Sequence, residues 1–196
     1  IICAYNEEEK IARCIESVRA QTHSDWELWI IDDGSTDNTA EIVKKYEATD
    51  GRIHLYSQEN QGLSSARKSG IRCATGEYLT FIDADDYVGE QYLEHLLEGQ
   101  KLYPDTNCII GGYKPTKTHS HPQSKDFCIF PTFLAMQHPS HFYMIWSRLW
   151  KTSFMKEYGD LIPENLNLSE DEVTMYLLYP HLINIAFVPY TDYYYI

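Results

Sequence analysis

Apolar and polar positions in the first half of the chain alternate between two patterns. Short apolar runs bounded by polar turns predict strands, and four of them occupy residues 1–4, 26–31, 53–56 and 78–82. Segments with apolar residues three and four positions apart predict amphipathic helices, centred on residues 11–18, 42–46, 62–74 and 93–102. A further strand is predicted at residues 108–110, ending at two glycines.

Strands that alternate with helices of this length predict an α/β fold. The expected architecture is a Rossmann-like, mostly parallel sheet flanked by helices. In such sheets, ligands bind beyond the carboxyl ends of the strands. The residues that directly follow each predicted strand are therefore the first candidates for a functional site.

The pattern changes after Tyr113. Residues 114–125 carry two prolines, two histidines and no apolar periodicity, which predicts an exposed loop. The remainder is aromatic and irregular, with short helices predicted at 143–151 and 170–179 and a strand at 185–188. We expect one domain with two halves, residues 1–113 and residues 114–196.

Charge and composition narrow the class of protein. The chain has 196 residues and a formal net charge of −13, from 29 acidic and 16 basic residues. Repulsion from phosphate backbones argues against a nucleic-acid binder, and a phosphate ligand would need a local cation. The five cysteines include no C-x-x-C pair, which favours buried thiols over disulfides.

The chain has no apolar run near the roughly 20 residues that span a bilayer. Its opening, Ile1-Ile2-Cys3-Ala4, is typical of the second half of a strand. We therefore expect the natural amino terminus to lie upstream, so that the first strand is truncated here.

An acidic turn follows the second predicted strand. Asp32 and Asp33 begin the polar stretch 32–37, where carboxylates can accept hydrogen bonds from a nucleotide base or a ribose. A helix cap formed by Ser35 or Asp37, together with a glycine turn, explains the same pattern. Both explanations remain open at this stage.

A second acidic cluster, Asp83-Ala84-Asp85-Asp86, follows the fourth predicted strand. One acid there can bind a ribose while another binds Mg²⁺ or Mn²⁺ that bridges a diphosphate, because these cations prefer oxygen ligands. The alternative is a solvated acidic loop that caps a helix. Clustering like charges is costly, which favours the cation site.

Two further groups have both a chemical and a structural explanation. Residues 170–172 are acidic, and one carboxylate held near an acceptor hydroxyl can act as a general base. Acids in the first turn of a helix are also favoured by the helix dipole. Arg67 and Lys68 can hold a diphosphate, or they can lie on a solvent-facing basic helix.

These motifs occur in a specific order along nearly the whole chain. In sequence they are Tyr5-Asn6, the acidic turn 32–37, Asn60-x-Gly62 with Ala66-Arg67, residues 75–78, the cluster 83–86 and Glu170-Asp171. This order resembles glycosyltransferase family 2. The resemblance implies a GT-A fold, with a nucleotide-sugar donor half at residues 1–113 and an irregular acceptor-binding and catalytic-base half at residues 114–196.

The resemblance also implies which side chains bind a nucleotide-diphosphate sugar, most simply one of UDP. Tyr5 would stack on the base, Asp33 would hydrogen-bond to it, and Asp32 would lie nearby. Asp83 would contact the ribose and Arg67 the diphosphate.

The same resemblance implies the catalytic groups. Asp85 would bind Mn²⁺ or Mg²⁺, Asp86 would lie beside the donor sugar, and Ala84 belongs to the same donor-binding loop. Asp171 would be the catalytic base of an inverting transfer.

The implied acceptor is a glycan or lipid-linked hydroxyl in bacterial surface-polysaccharide synthesis. The implied location is the cytoplasm, with peripheral association at the inner face of the membrane through parts outside this chain.

Other functions remain as alternatives. A non-catalytic nucleotide- or glycan-binding domain of the same fold has the same sequence features, and it gains weight if Asp171 points away from the crevice. An aspartyl-phosphate phosphatase is disfavoured, because Asp86-Tyr87 after Asp85 does not match the spacing that chemistry needs. Cys3 and Lys68 depart from the family pattern, which usually has proline and asparagine there.

Overall fold

The computed structural model describes residues 1–115, 128–131, 144–164 and 170–196. Its strands are β1 (Ile2–Ala4), β2 (Leu28–Asp32), β3 (Ile53–Ser57), β4 (Tyr78–Leu79), β5 (Ile82–Asp83), β6 (Tyr87–Val88), β7 (Cys108–Pro115), β8 (Cys128–Pro131), β9 (Arg148–Lys151) and β10 (Asn184–Tyr195). Its α-helices are α1 (Ile11–Arg19), α2 (Thr39–Glu47), α3 (Leu63–Cys73), α4 (Tyr92–Leu102), α5 (Thr152–Tyr158) and α6 (Glu170–Leu178).

The first sheet has four parallel strands in the order β3-β2-β1-β5. In its register, Ala4 pairs with Asp32, and Cys3 pairs with Asp83. Helices connect β1 to β2 and β2 to β3, because parallel neighbours cannot be joined by a tight turn. This sheet and its helices confirm the predicted α/β architecture.

Helix α1 shows how the apolar spacing directs packing. Ile11, Cys14, Ile15 and Val18, the four positions predicted to share a face, are all buried. Burying an aliphatic side chain of this size is favourable by about 1.5–3 kcal/mol. The helix begins at Ile11, and the acidic residues 7–9 belong to a turn ahead of it.

The later part of the chain builds a second sheet in the order β4-β9-β7-β10-β6, with β8 paired to β10. Strands β7 and β10 run parallel, and the other pairs are antiparallel. Ile2 of the first sheet and Ile185 of the second belong to the same hydrophobic cluster. Strand β10 is longer than the predicted strand at 185–188, since it continues through four tyrosines and ends at Tyr195.

Three other predicted elements differ from the structure. The apolar run 78–82 forms two strands in different sheets, because β4 pairs with β9 whereas β5 pairs with β1. Residues 148–151 form strand β9, and the helix begins only at Thr152. Strand β7 continues through Gly111 and Gly112. In each of these three elements, pairing with a distant strand decided the structure. Short apolar runs carry no information about such distant partners.

The predicted loop 114–125 lies mostly outside the described residues, although Lys114 and Pro115 belong to β7. None of the helices in the described ranges has the length and apolar character needed to cross a membrane.

Candidate active site

The carboxyl ends of β1, β2 and β5 lie side by side at one edge of the parallel sheet. Tyr5 follows β1, Asp33 follows β2, and Ala84 follows β5. Because neighbouring parallel strands end at the same edge, the residues that directly follow them converge. The structure therefore brings both predicted acidic clusters to one crevice.

Asp33 is tied to the loop that leads into α3. Its carboxylate accepts hydrogen bonds from the backbone N–H groups of Gln61 and Gly62, at 3.0 and 2.8 Å, and from Nε2 of Gln58 at 2.7 Å. The residue is 3% exposed. Any contact with a nucleotide base has to share a carboxylate that already accepts from three donors.

Gly34 and Asp37 shape the same turn. Gly34 has a φ of +76°, and a Cβ at this position would lie 2.8 Å from the backbone nitrogen of Asn60. Asp37 accepts hydrogen bonds from the backbone N–H and the hydroxyl of Thr39, at 2.9 and 2.6 Å. Gly34 and Asp37 therefore have the structural roles of a glycine turn and of a hydrogen-bond acceptor at the start of α2.

Tyr5 and Asp32 follow neighbouring strands but differ in exposure. Asp32 is 4% exposed and accepts a hydrogen bond from the backbone N–H of Ser35 at 3.1 Å. Asn6, with a φ of 55°, donates its backbone N–H to the Ser35 hydroxyl at 3.0 Å. Tyr5 keeps 48% of its surface exposed, so its ring is accessible to a flat ligand.

The loop of residues 83–86, which we call the acid loop, presents its carboxylates differently. The side chains of Asp83 and Asp85 are 29% and 38% exposed, whereas Asp86 is fully buried. Asp86 accepts hydrogen bonds from the Tyr193 hydroxyl at 2.8 Å and from the Ile196 backbone N–H at 2.9 Å. Asp86, which the family resemblance places beside the donor sugar, therefore lies below the surface of the crevice.

Burial and clustered charges raise the pKa of two carboxyl groups in the acid loop. Burial, followed by the neighbouring carboxylates of Asp171, Asp86 and Asp85 and opposed by Arg67, raises the pKa of Asp83 to about 7. Burial also raises the pKa of Asp86 to about 6, against its hydrogen bonds from Ile196 and Tyr193. Burial and the neighbouring carboxylates thus disfavour the ionised forms of Asp83 and Asp86, and a bound cation would relieve that penalty.

Arg67 connects the acid loop with α6. Its side chain is 2% exposed, and its guanidinium donates a hydrogen bond to Oδ1 of Asp171. The other guanidinium nitrogen lies 3.7 Å from Oδ1 of Asp83. Burial opposes the charge of Arg67, yet Asp171 and Asp83 hold the pKa of the guanidinium above its usual value. Asp171 therefore faces the acid loop across one shared arginine.

The comparisons with known proteins agree with this geometry. Residues 1–163 match the family described as Glycosyl transferase family 2. The chain belongs to glycosyltransferase family 2. It is 34% identical over 180 residues to the Bacillus subtilis glycosyltransferase EpsJ, covering 87% of this chain and 52% of EpsJ. It is 42% identical over 96 residues to TuaG, a Bacillus subtilis glycosyltransferase named for teichuronic acid biosynthesis, covering 48% of this chain and 38% of TuaG.

The family 2 assignment confirms the predicted family, and a solved structure confirms the predicted GT-A fold. The crystal structure of an S. aureus TarS fragment superposes with a TM-score of 0.83 at 23% identity, covering 99% of this chain and 58% of that one. The same fragment in complex with UDP-GlcNAc gives a TM-score of 0.83 at 22% identity, covering 98% and 56%. The chain spans about half, or less, of the length of the curated relatives it matches.

The acid loop of this family 2 chain has the donor chemistry for a divalent cation. With nucleotide substrates, Mg²⁺ is held by one or two carboxylates together with phosphate oxygens and water. Asp85 offers an accessible carboxylate, with the ammonium of Lys10 3.7 Å away. Among the described residues, no group of three His, Cys, Asp or Glu side chains forms a complete protein cage. Asp85 is therefore the side chain of the acid loop whose exposure fits one carboxylate ligand of such a cation.

Sequence reasoning missed the tyrosines of β10. Tyr193 is buried, its ring stacks on Trp146 with centroids 4.5 Å apart, and its hydroxyl reaches the acid loop. Tyr195 stacks on the same Trp146 at 5.5 Å and is 46% exposed. In the sequence, the run of tyrosines at 193–195 is typical of packing residues. Only the register of β10 beside β6 reveals their proximity to Asp83 and Asp86.

Proposed function

We propose that this chain is the catalytic domain of an inverting, metal-dependent glycosyltransferase. It transfers a sugar, a hexose in the simplest case, from UDP to a hydroxyl of a glycan or lipid-linked acceptor in cell-surface polysaccharide synthesis. The observation that carries the proposal is the shared contact of Arg67 with Asp171 and Asp83, which joins the expected base to the expected donor site.

The donor half supplies binding and orientation. In this proposal Tyr5, which is half exposed, stacks on the uracil, while Asp33 and Asp32 line the base pocket. Asp83 contacts the ribose. The remainder of the acid loop, Ala84 and Asp86, supports the donor sugar. The TarS fragment crystallised with UDP-GlcNAc supports a UDP-sugar donor for a chain of this fold.

The acceptor half supplies the base. Asp171 takes the proton of the acceptor hydroxyl, and the acceptor oxygen forms a bond to the anomeric carbon on the face opposite the diphosphate. The bond between that carbon and the diphosphate oxygen breaks, and its electron pair leaves with UDP. Direct displacement inverts the anomeric centre, so no covalent sugar intermediate forms on the protein.

Two groups in this proposal counter the charge that develops on UDP. Arg67 approaches the diphosphate from α3, which requires it to share its contacts with Asp171 and Asp83. Asp85 holds the divalent cation. When bound, Mg²⁺ or Mn²⁺ stabilises the negative charge of the leaving diphosphate as a Lewis acid.

The relatives and the fold support the setting of the reaction. TuaG is named for teichuronic acid biosynthesis, which supports a surface-polysaccharide acceptor for this chain. The proposed location is the cytoplasm at the inner face of the membrane, with association through parts outside this chain. The non-catalytic alternative loses support, because Asp171 contacts the arginine that also faces Asp83.

Calorimetric titration of UDP tests the donor site without knowledge of the acceptor. We expect binding in the presence of Mn²⁺ and a loss of that binding on addition of EDTA. Equal affinity in both conditions would contradict the metal role, and no binding in either would contradict the UDP site.

Asp171→Asn tests the base. We expect UDP binding to stay nearly unchanged while sugar transfer falls by about 100-fold or more, the usual contribution of a general base. Transfer is measured as UDP release from UDP-hexoses with a panel of hydroxyl acceptors. Wild-type turnover in this variant would eliminate Asp171 as the base. Donor binding without turnover in the wild type would favour the non-catalytic alternative.

A further inference from the structure

Strand β10 contacts the acid loop through side chain and backbone. The Tyr193 hydroxyl accepts a hydrogen bond from the backbone N–H of Asp83 at 3.0 Å, and it donates one to Oδ2 of Asp86 at 2.8 Å. The backbone N–H of Ile196 donates to Oδ1 of Asp86 at 2.9 Å. A single hydroxyl thus bridges the first and last residues of the acid loop.

The strand after the acid loop is held by the same element. Strand β6 pairs antiparallel with β10, with Tyr193 opposite Val88 and Tyr194 opposite Tyr87. The rings of Tyr87 and Tyr194 stack in parallel with centroids 4.6 Å apart. Residues 83–88 are therefore fixed to β10 at both ends.

Tyr193 is itself held rigidly. It is fully buried, its ring stacks on Trp146 at 4.5 Å, and it meets the edge of Tyr92 at 6.2 Å. Aromatic pairs of this kind add about 0.5–1.5 kcal/mol beyond area burial. A buried hydroxyl on a fixed ring, with both a donor and an acceptor partner, has one orientation.

We propose that Tyr193 is a positioning residue for the donor site, which holds the acid loop in the conformation that binds the cation and the diphosphate. The carboxylates of the loop repel one another, so an anchor is needed to keep them together. By occupying Asp86, Tyr193 and Ile196 leave Asp85 as the accessible carboxylate of the pair. The inference rests on the proposed function, because it assigns Tyr193 a role in that same site.

Tyr193→Phe tests this role, with Tyr190→Phe as the matched control. Tyr190 lies on the same strand, but its hydroxyl donates to Glu98 of α4 at 2.9 Å and not to the acid loop. We expect Tyr193→Phe to speed amide hydrogen exchange at residues 83–88. We expect it to lower UDP affinity in Mn²⁺ by about tenfold, as for other groups that orient metal ligands. The affinity for uridine should stay unchanged, because uridine has no diphosphate to bind the cation. In Tyr190→Phe, the exchange at residues 83–88, the UDP affinity and the uridine affinity should all stay unchanged.

Two results would overturn the inference. One is unchanged exchange at residues 83–88 in Tyr193→Phe, and the other is faster exchange with unchanged UDP affinity in Mn²⁺. Wild-type protein that binds no UDP contradicts the proposed function instead, and the exchange comparison alone then decides whether Tyr193 orders the loop. If Tyr193→Phe does not fold, Trp146→Phe shrinks the ring stacked on Tyr193 and keeps its hydroxyl. We then expect a smaller loss of Mn²⁺-dependent affinity, and no loss would overturn the inference.

Discussion

Two acidic segments meet at the same edge of the sheet, but the fold treats them differently. The carboxylates of Asp32 and Asp33 accept hydrogen bonds mainly from backbone N–H groups, at Ser35, Gln61 and Gly62. In the acid loop, Asp83 faces the side chain of Arg67, Asp86 accepts hydrogen bonds from the Tyr193 hydroxyl and the Ile196 backbone N–H, and Asp85 stays accessible.

The difference teaches that residue type and position do not define a role. A carboxylate surrounded by backbone donors is compensated without a ligand, so it shapes a pocket. The carboxyl groups of Asp83 and Asp86 have raised pKa values because they are buried and lie near other carboxylates, and a bound cation would relieve this penalty on ionisation. We therefore propose that the turn after β2 shapes the nucleotide pocket and that the loop after β5 supplies the charge that attracts a cation.

The largest effect is expected from Asp85→Ala. UDP affinity in Mn²⁺ should fall by about 100-fold, to the value measured in EDTA, because in the proposed site this side chain is the carboxylate ligand of the cation. Stability should change little, since the side chain is 38% exposed and its ion pair with Lys10 spans 3.7 Å. Calorimetry with and without Mn²⁺ measures the first effect and thermal unfolding the second. Asp105→Ala, in the exposed turn before β7, is the control and should bind like the wild type.

Asp33→Asn should show the opposite profile. The amide that replaces the carboxylate cannot accept hydrogen bonds from all three donors, so at least one buried N–H group loses its partner. The free energy of unfolding should therefore fall by about 2 kcal/mol. UDP and uridine should both bind more weakly, with or without Mn²⁺, because the pocket shape is lost. Urea denaturation and the two titrations check this. An effect confined to UDP would mean that Asp33 acts on the diphosphate and the comparison is wrong.

Gly34→Ala tests whether the turn after β2 depends on its backbone shape. A φ of +76° and a Cβ placed 2.8 Å from the Asn60 nitrogen predict a loss of about 1.5 kcal/mol of stability. Gly51→Ala is the matched control, because a Cβ there meets nothing within 4 Å. Equal unfolding midpoints for both variants would show that the turn relaxes around the extra methyl group.

The smallest effect is expected at the opposite edge of the sheet, from Glu27→Gln. Burial opposes ionisation of Glu27, but hydrogen bonds from Thr75 and Gly76 outweigh it and lower the pKa of the carboxyl group. A lowered pKa stabilises the fold above the unfolded value of 4.5, and this contribution disappears as pH falls through the folded value. We expect Glu27→Gln to cost up to about 1 kcal/mol at pH 7, less at pH 3, with UDP binding unchanged. A stability difference that is constant with pH would exclude the ionised carboxylate as its source.

The sequence by itself determined strands β1 to β3, the helices that connect them, and the identity of the acids. Helical spacing located α1 to α4, and the alternation with apolar runs predicted parallel strands whose ends carry Tyr5, Asp33 and Asp83. These signals are local, since each depends on residues a few positions apart. The motif order was sufficient to predict the family, which the match over residues 1–163 confirms.

Only the tertiary structure decided how the site is held together. Arg67 and Asp171 are 104 positions apart, and Tyr193 lies 110 positions from Asp83. The same holds for the split of residues 78–82 between two sheets and for strand β9 at 148–151. Hydrogen bonds and strand pairings between remote segments leave no periodic trace in the sequence, because they depend on which surfaces meet when the two sheets pack around one core.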